Sequence, residues 1–234
     1  MINITIGGET RAFARGTSAE AIFDTFYPGR DPRPVAASLN GRVRSLDWKP
    51  EGDCTLAILD YCDEEGRRIY ERSLRFLFLL ATRDILPGVG VRIEHSVGYG
   101  LYTVVHTDLT AETVMRIEER MRALRDQDLP FVRARWSREK AIEYFRAEGK
   151  KDKVELLTYR PYTYFDVYSC GGMVEYFYGD MLPTTGHIRT FALLHHAPGV
   201  VLQMPAPEKP DVVAPFVERP KMMRAFAESA HWYD

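Results

Sequence analysis

The beginning of the chain alternates between apolar and polar residues. From Ile2 to Ile6 the isoleucines recur at every second position, which predicts a half-buried strand. Gly7-Gly8 favours a hairpin turn, and the pair Thr17 and Glu20 has the capping-box spacing that opens a helix. Further strands are predicted at 10–13, 35–39, near 43 and at 55–59. This order of elements is typical of a β-grasp domain.

From residue 69 onwards, helical periods dominate. Ile69 to Arg83 has apolar residues nearly all around its circumference, which predicts a helix in the centre of a core. Thr110 is expected to cap a helix that runs to Asp126, and Ser137 a helix that stops at Gly149. Antiparallel strands are predicted at 91–93, at 101–105 and at several places within 162–204. We therefore expect an α+β chain with an antiparallel sheet in its second part.

The polar stretch 63–66 and a later group of prolines indicate where domains end. We place a β-grasp domain at 1–65 and an α+β domain at 66–204. Prolines at 205, 207, 210 and 215 predict a linker, followed by a helix from Pro220, within 205–234.

Composition narrows the class of protein. The 234 residues are 45% hydrophobic with a formal net charge of −2, so the chain is neither disordered nor strongly basic. Its three cysteines form no C-x-x-C pair and are interpreted as free thiols in a reducing compartment. No apolar run approaches the roughly 20 residues of a membrane span, and no signal peptide is recognised. We predict a cytoplasmic protein with no membrane contact.

The sequence lacks the common catalytic motifs. Neither a P-loop nor G-x-G-x-x-G, H-E-x-x-H or G-x-S-x-G is present. The arginines between Arg116 and Arg138 alternate with acidic residues, which favours a solvated face over an RNA contact. The aromatic run from Tyr159 to Tyr168 favours the packing of a sheet over the stacking of bases.

Several segments resemble threonyl-tRNA synthetases. The first ~65 residues resemble the TGS domain, and Ile69 to about Leu202 resembles the editing-type domain that follows it. The resemblance is clearest at Arg72-Ser73, 109–121 and 137–154. It implies a β-grasp domain followed by an α+β editing-like domain.

The resemblance also identifies a degenerate site. Editing domains carry an H-x-x-x-H on a helix, where the i,i+4 spacing places both histidines on one face, and a C-x-x-x-H in a later loop. The matching positions here are Arg72, Phe76, Phe177 and Met181. None of these residues is a normal zinc ligand. We therefore expect neither a metal site nor histidine-dependent deacylation in this chain.

Other segments resemble bacterial uridine kinase-like nucleoside kinases, in which a similar domain pair precedes a P-loop kinase domain. These segments are 91–96, 100–102, 176–179, 183–186 and 216–221. The resemblance implies a covalently linked kinase domain beyond Asp234 that would use ATP and Mg²⁺ to phosphorylate a nucleoside. Under this hypothesis the chain itself is a non-catalytic accessory region without a cofactor.

The old editing cleft would then bind a nucleoside, a nucleotide or tRNA. Its candidate binding residues are Arg72, Arg75, His95, Tyr102, Tyr178 and Asp180. The arginines are expected to contact phosphate, and the histidine and tyrosines a base or sugar. Two alternatives remain open: a freestanding aminoacyl-tRNA deacylase that uses His95 or Asp180, and a TGS-type RNA-binding module.

Overall fold

The α+β fold with antiparallel sheets is confirmed. A computed structural model describes residues 1–197 and 199–217, with only the backbone of Glu94. The helices are α1 Ala19–Phe26, α2 Glu64–Ile85, α3 Ala111–Asp126, α4 Arg138–Ala147 and α5 Lys151–Tyr159, with a 3-10 helix at Thr185–His187. In this part of the chain, no helix is long and apolar enough to cross a membrane.

The strands form three larger sheets and one hairpin. They are β1 Ile2–Ile6, β2 Glu9–Phe13, β3 Ala36–Leu39, β4 Arg42–Arg44, β5 Cys54–Leu59, β6 Val91–Val97, β7 Gly100–Val105, β8 Val132–Ser137, β9 Tyr164–Cys170, β10 Met173–Tyr176, β11 Ala192–His196, β12 Gly199–Gln203, β13 Pro205–Ala206 and β14 Lys209–Val213. The sheets have the orders β2-β1-β5-β3-β4, β10-β9-β8 and β11-β12-β7-β6.

The first sheet and α1 form the β-grasp core. β1 pairs in parallel with β5 and antiparallel with β2, and the buried side of α1 packs on the apolar face of β1. The helix cap differs from the prediction by one residue. The Ser18 side chain accepts a hydrogen bond from the Ala21 backbone N–H, whereas the Thr17 hydroxyl donates to the Ala14 carbonyl.

Helix α2 is the centre of the second core, as its apolar pattern predicts. Leu74, Phe76, Leu77 and Phe78 have no exposed surface, and the cluster around them takes in side chains from α3 and from the sheets on either side. The predicted caps of the next two helices are confirmed. Thr110 accepts from the Thr113 N–H at 3.1 Å, and Ser137 from the Lys140 N–H at 3.2 Å.

The predicted linker contains ordered secondary structure. The hairpin of β13 and β14 occupies 205–213, and the Tyr61 hydroxyl donates to the Pro205 carbonyl at 2.9 Å. Prolines are tolerated here because short edge strands leave some backbone N–H positions without a ladder partner. The prediction of a linker is therefore wrong for these residues. The helix predicted from Pro220 lies outside the described residues.

A chain of hydrogen bonds joins α1 to the loop before β11. Thr184 donates its hydroxyl hydrogen to Asp128, so its oxygen accepts from His187 Nδ1 at 2.7 Å. His187 Nε2 lies 2.7 Å from Glu20 Oε1. His187 therefore bridges Thr184 and Glu20 through its two ring nitrogens. The hydrogen bond from His187 lowers the pKa of the Glu20 carboxyl, with desolvation acting in the opposite direction.

The contact between Glu20 and His187 is expected to be weak and to depend on pH. A carboxyl whose pKa is lowered by folding stabilises the fold above its ordinary pKa, and that contribution disappears as pH falls through the lowered pKa. Glu20 is 37% exposed, so solvent screening limits the coupling to about 0.5 kcal/mol. A double-mutant cycle of Glu20→Gln and His187→Ala by urea unfolding should show this coupling at pH 6 and a smaller one at pH 3. The exposed His106, paired with Glu20→Gln, serves as the control cycle. Equal coupling at both pH values would contradict the prediction.

Candidate functional site

The four degenerate positions meet where α2 contacts the loop after β10. Arg72 donates from Nη1 to the Asp180 carbonyl. The rings of Phe76 and Phe177 have centroids 5.9 Å apart, and Met181 is 1% exposed. The i,i+4 spacing on α2 places Arg72 and Phe76 on the face that the loop covers. A guanidinium, two aromatic rings and a thioether thus fill this part of the molecule.

The same loop is fixed to the core by backbone hydrogen bonds. The buried Ser73 hydroxyl accepts from the Leu182 N–H at 2.9 Å and donates to the Ile69 carbonyl at 2.9 Å. Gly179 has φ +102°, and a Cβ there would lie 2.8 Å from Arg72 Nη1, so glycine is required for this close approach. The loop therefore has a defined position on α2.

Replacing Ser73 by alanine should lower the free energy of unfolding by about 1–3 kcal/mol. The substitution leaves the Leu182 N–H without its acceptor in a site that has no exposed surface. Urea unfolding measures the effect, and Ser73→Thr, which keeps the hydroxyl, is the matched comparison. A loss below about 0.5 kcal/mol for the alanine variant would mean that the loop is not held at this point.

An ion-pair network lies next to the degenerate positions. Arg133 donates to Asp180 Oδ1 at 2.7 Å and to Asp166 Oδ2 at 2.5 Å, and Arg135 donates to Asp166 Oδ1 at 3.1 Å. Desolvation opposes ionisation of Asp166, but the hydrogen bonds from both arginines outweigh it and lower the pKa of this carboxyl. The Asp166 carboxylate therefore stays charged and holds both guanidinium groups in place.

A cavity of 290 Å³ opens between this network and the β-grasp domain. Its β-grasp wall includes Arg44, whose guanidinium lies 5.7 Å from the centre of the Trp48 ring. Its other wall includes Tyr168, and burial raises the pKa of this phenol to about 12. The Ser45 hydroxyl donates to the Met181 carbonyl at 3.0 Å and ties the two walls together. The cavity combines aromatic surface with two arginines and two carboxylates, Asp47 and Asp180, a composition that suits a planar polar ligand.

Two of the predicted cleft residues do not reach this site. His95 is paired with Tyr102 across β6 and β7, so both point to the same face of that sheet. The neighbouring Leu101 belongs to the α2 core, whereas Tyr102 is 1% exposed in a separate cluster. Strand alternation thus directs both residues to the face away from α2. Their contact with a ligand stays a prediction, but the structure does not bring them to the same face as Arg72.

The other predicted residues differ in their surroundings. Arg75 forms an ion pair with Glu71 on the same helix at 2.5 Å. Tyr178 belongs to the loop over α2, but 83% of its surface is exposed. Burial lowers the pKa of Arg72 from its ordinary value, with Tyr168 and Asp180 acting in the opposite direction. Of the candidate binding residues, Arg72 and Asp180 therefore lie at the site, and the ring of Tyr178 lies outside it.

Sequence reasoning missed several side chains at or near the site. Arg44 and Trp48 lie about 130 positions before the loop that they face, a separation that no local pattern reveals. Glu175 was missed as well: it is 3% exposed and paired with Lys150 at 2.9 Å and Lys153 at 3.2 Å. No local sequence pattern predicts this pairing, because the two lysines come next to the carboxylate only when the chain is folded.

Arginines of the arginine-rich segment form ion pairs on a solvated face, and the aromatic run contains both buried and exposed rings. Arg120 pairs with Asp84 and Arg122 with Glu118, as expected for a solvated face. In the aromatic run, Phe165 and Tyr168 are buried in the sheet. The exposed members are Tyr159 at 81%, Tyr162 at 57% and Tyr164 at 61%. The packing interpretation is therefore right for only part of the run.

The donor atoms at the four degenerate positions do not fit zinc. Structural and catalytic zinc sites use cysteine, histidine and carboxylate ligands, and the four side chains here supply none of these. Within residues 1–197 and 199–217, no three His, Cys, Asp or Glu side chains group together in a way that would hold a metal ion. The three cysteines are free thiols.

The chain has clear similarity to curated proteins. It is 29% identical over 198 residues to threonine–tRNA ligase from Desulforamulus reducens, 33% over 202 residues to threonine–tRNA ligase 1 from Bacillus subtilis and 30% over 201 residues to threonine–tRNA ligase from Symbiobacterium thermophilum. In each case the match covers 83% of this chain but only 30–31% of the relative. The chain thus spans less than a third of the length of these relatives. No protein-family profile matches it.

These relatives support the resemblance to threonyl-tRNA synthetases across most of the chain. They give no support to the resemblance to nucleoside kinases. The similarity therefore favours the interpretation that this chain is homologous to part of a tRNA ligase.

Proposed function

We propose that this chain is a tRNA-binding module that has lost the metal-dependent chemistry of an editing domain. The observation that carries the proposal is the packing of the four degenerate positions. Phe76 and Met181 belong to the α2 core, and Arg72 reaches the loop backbone. Under this proposal, these side chains take the place of the ligands of an editing site and stabilise the fold there.

Binding rather than hydrolysis is favoured by the groups around the filled site. Arg133 and Arg135 are 45% and 69% exposed, so their guanidinium groups are accessible to an anionic partner. Arginine binds phosphate in a bidentate manner and stacks on bases. Similarity to threonine–tRNA ligases makes tRNA the partner that we propose, in the cytoplasm, with a free nucleotide as a smaller ligand of the same chemistry.

The alternative of a freestanding deacylase has weaker support. Its two candidate catalytic groups were His95 and Asp180. The exposed His95 lies on β6, on the face of its sheet away from α2, and the Asp180 carboxylate is occupied by Arg133. An active general base would need an accessible lone pair next to the ester.

The nucleoside-kinase connection is a further proposal that rests only on the resemblance of short segments such as 91–96 and 176–179. Under it, a P-loop kinase domain that uses ATP and Mg²⁺ is joined to this chain beyond Asp234. The natural reading frame tests it: a G-x-x-x-x-G-K-[ST] motif downstream would support the connection, and a different domain there would refute it.

Incubation of the chain with mischarged threonine-type tRNA tests the proposed function. Native gel electrophoresis should show a complex, while the aminoacyl ester decays at the rate of the protein-free control with or without added zinc. The His95→Ala variant should behave in the same way. Turnover that disappears in this variant would show that the chain is a deacylase and overturn the proposal.

A further inference from the structure

One face of the β8–β9 ladder is uncovered at one end, whereas its other end carries Tyr168, which is 4% exposed in the α2 core. In this antiparallel pair Ser137 lies opposite Tyr164, Arg135 opposite Asp166 and Arg133 opposite Tyr168. Directly opposed residues point to the same side of a sheet. We name the exposed part of this side, which consists of Arg133, Arg135, Tyr164 and Asp166, the β8–β9 face.

The reverse side of the same ladder is covered by helices. Phe165 is 3% exposed and packs in a cluster with Ala141 and Phe145 of α4 and Leu157 of α5. On the β8–β9 face, by contrast, Tyr164 is 61% exposed. Its ring therefore presents an apolar plane to solvent beside the charged groups of this face.

The charges on this face are arranged before any ligand arrives. Asp166 accepts from both Arg133 and Arg135, and Asp180 accepts from Arg133. These hydrogen bonds fix the direction of the two guanidinium groups and reduce the side-chain entropy that binding would cost. Arg133 and Arg135 thus pair with Asp166 and Asp180, so these four charges balance, while the two arginine side chains remain 45% and 69% exposed.

Exposed guanidinium groups beside a flat exposed ring fit unpaired RNA better than a protein or a duplex. Unpaired bases stack on tyrosine and arginine planes, while phosphates bind guanidinium groups. A protein partner would be expected to cover a larger apolar centre than one tyrosine ring. The face also continues into the 290 Å³ cavity through Arg133 and Tyr168.

We propose that an unpaired RNA segment lies along the β8–β9 face, with one base stacked on Tyr164 and its phosphates bound by Arg133 and Arg135. This inference rests on the proposed function, because it states where the tRNA-type ligand is bound.

The chain offers matched variants to test this placement. Tyr164→Ala removes the stacking ring, and Tyr164→Phe keeps it. Tyr159, which is 81% exposed at the end of α5, supplies the control Tyr159→Ala. For the charge, Arg135→Ala is compared with Arg116→Ala, an exposed arginine on α3. These positions are exposed, and circular dichroism checks that each variant is folded.

Fluorescence anisotropy measures binding of unacylated tRNA and of an unpaired RNA of about 12 nucleotides. Tyr164→Ala should weaken both by about 10-fold, whereas Tyr164→Phe and Tyr159→Ala should change them less than about 2-fold. Arg135→Ala should reduce the slope of log K against log salt by about 0.7, and Arg116→Ala should leave it unchanged.

The outcomes separate the two proposals. If wild-type protein binds tRNA and Tyr164→Ala and Arg135→Ala bind it equally well, the placement is wrong and the proposed function stands. If the wild-type chain binds neither RNA, the proposed function fails and the placement with it.

Discussion

Replacing Phe76 by alanine is expected to lower the free energy of unfolding by about 3–5 kcal/mol. The side chain has no exposed surface, and its ring centroid lies 5.4 Å from that of Phe131 and 5.9 Å from that of Phe177. Truncation removes both ring contacts and leaves a cavity between α2 and the loop that covers it. Urea unfolding followed by circular dichroism gives the value.

Two comparisons identify the cause of this loss. Phe76→Leu keeps most of the apolar volume and should cost clearly less than alanine. Phe177→Ala should also cost less, because Phe177 is half-buried. If Phe76→Ala lost less than about 1 kcal/mol, the position would not be tightly packed, and the filled site on which the proposed function rests would be refuted.

Replacing Glu175 by glutamine is expected to cost about 3 kcal/mol at neutral pH. Its carboxylate is 4% exposed and pairs with Lys150 and Lys153, which are 30% and 26% exposed. Glutamine keeps the shape but leaves two partly buried ammonium groups without their counter-charge. The value is at the lower end for a broken buried pair because both lysines retain some contact with water. Glu143→Gln, at an exposed position of α4, is the matched control and should change stability by less than about 0.5 kcal/mol.

The effect of Glu175 should depend on pH with a definite sign. Desolvation raises the pKa of this carboxyl, but the charges of Lys153 and Lys150 and the hydrogen bonds from the Lys150 side chain and the Tyr176 N–H outweigh it, so the pKa lies below its ordinary value of 4.5. A lowered carboxyl pKa stabilises the fold above that ordinary value, and the contribution is lost as pH falls through the lowered pKa. The stability difference between the wild-type protein and Glu175→Gln should therefore shrink as pH falls from neutral through the lowered pKa. A constant difference between pH 7 and pH 3 would contradict this assignment.

Much of the fold is predictable because its signals are local. The alternation from Ile2 to Ile6, the apolar circumference of α2 and the caps Thr110 and Ser137 each act within a few residues. Elements without such signals escaped prediction. Helix α5 has no side-chain cap and buries only Leu157. Strand β8 has the alternating residues of a strand, but its arginines placed it in the segment whose sequence favours a solvated face.

The site was predictable only in part, because it depends on contacts between distant residues. The spacing of Arg72 and Phe76 on one helix and the resemblance of the later loop were enough to identify positions that the structure brings together. His95 and Tyr102 were expected in the same cleft as Arg72. Strand alternation instead directs both side chains to the face of their sheet away from α2. Trp48 lines the cavity because the β-grasp domain packs against the loop after β10.

The most direct test of the central claim is a titration of labelled, unacylated tRNA with the wild-type chain at salt concentrations from about 50 to 200 mM. The proposed tRNA-binding module should bind at low salt, and log K should fall against log salt with a slope of about −1.4 or steeper, the value for two phosphate contacts to unpaired RNA. Absence of binding at the lowest salt concentration, or binding that does not change with salt, would contradict the account.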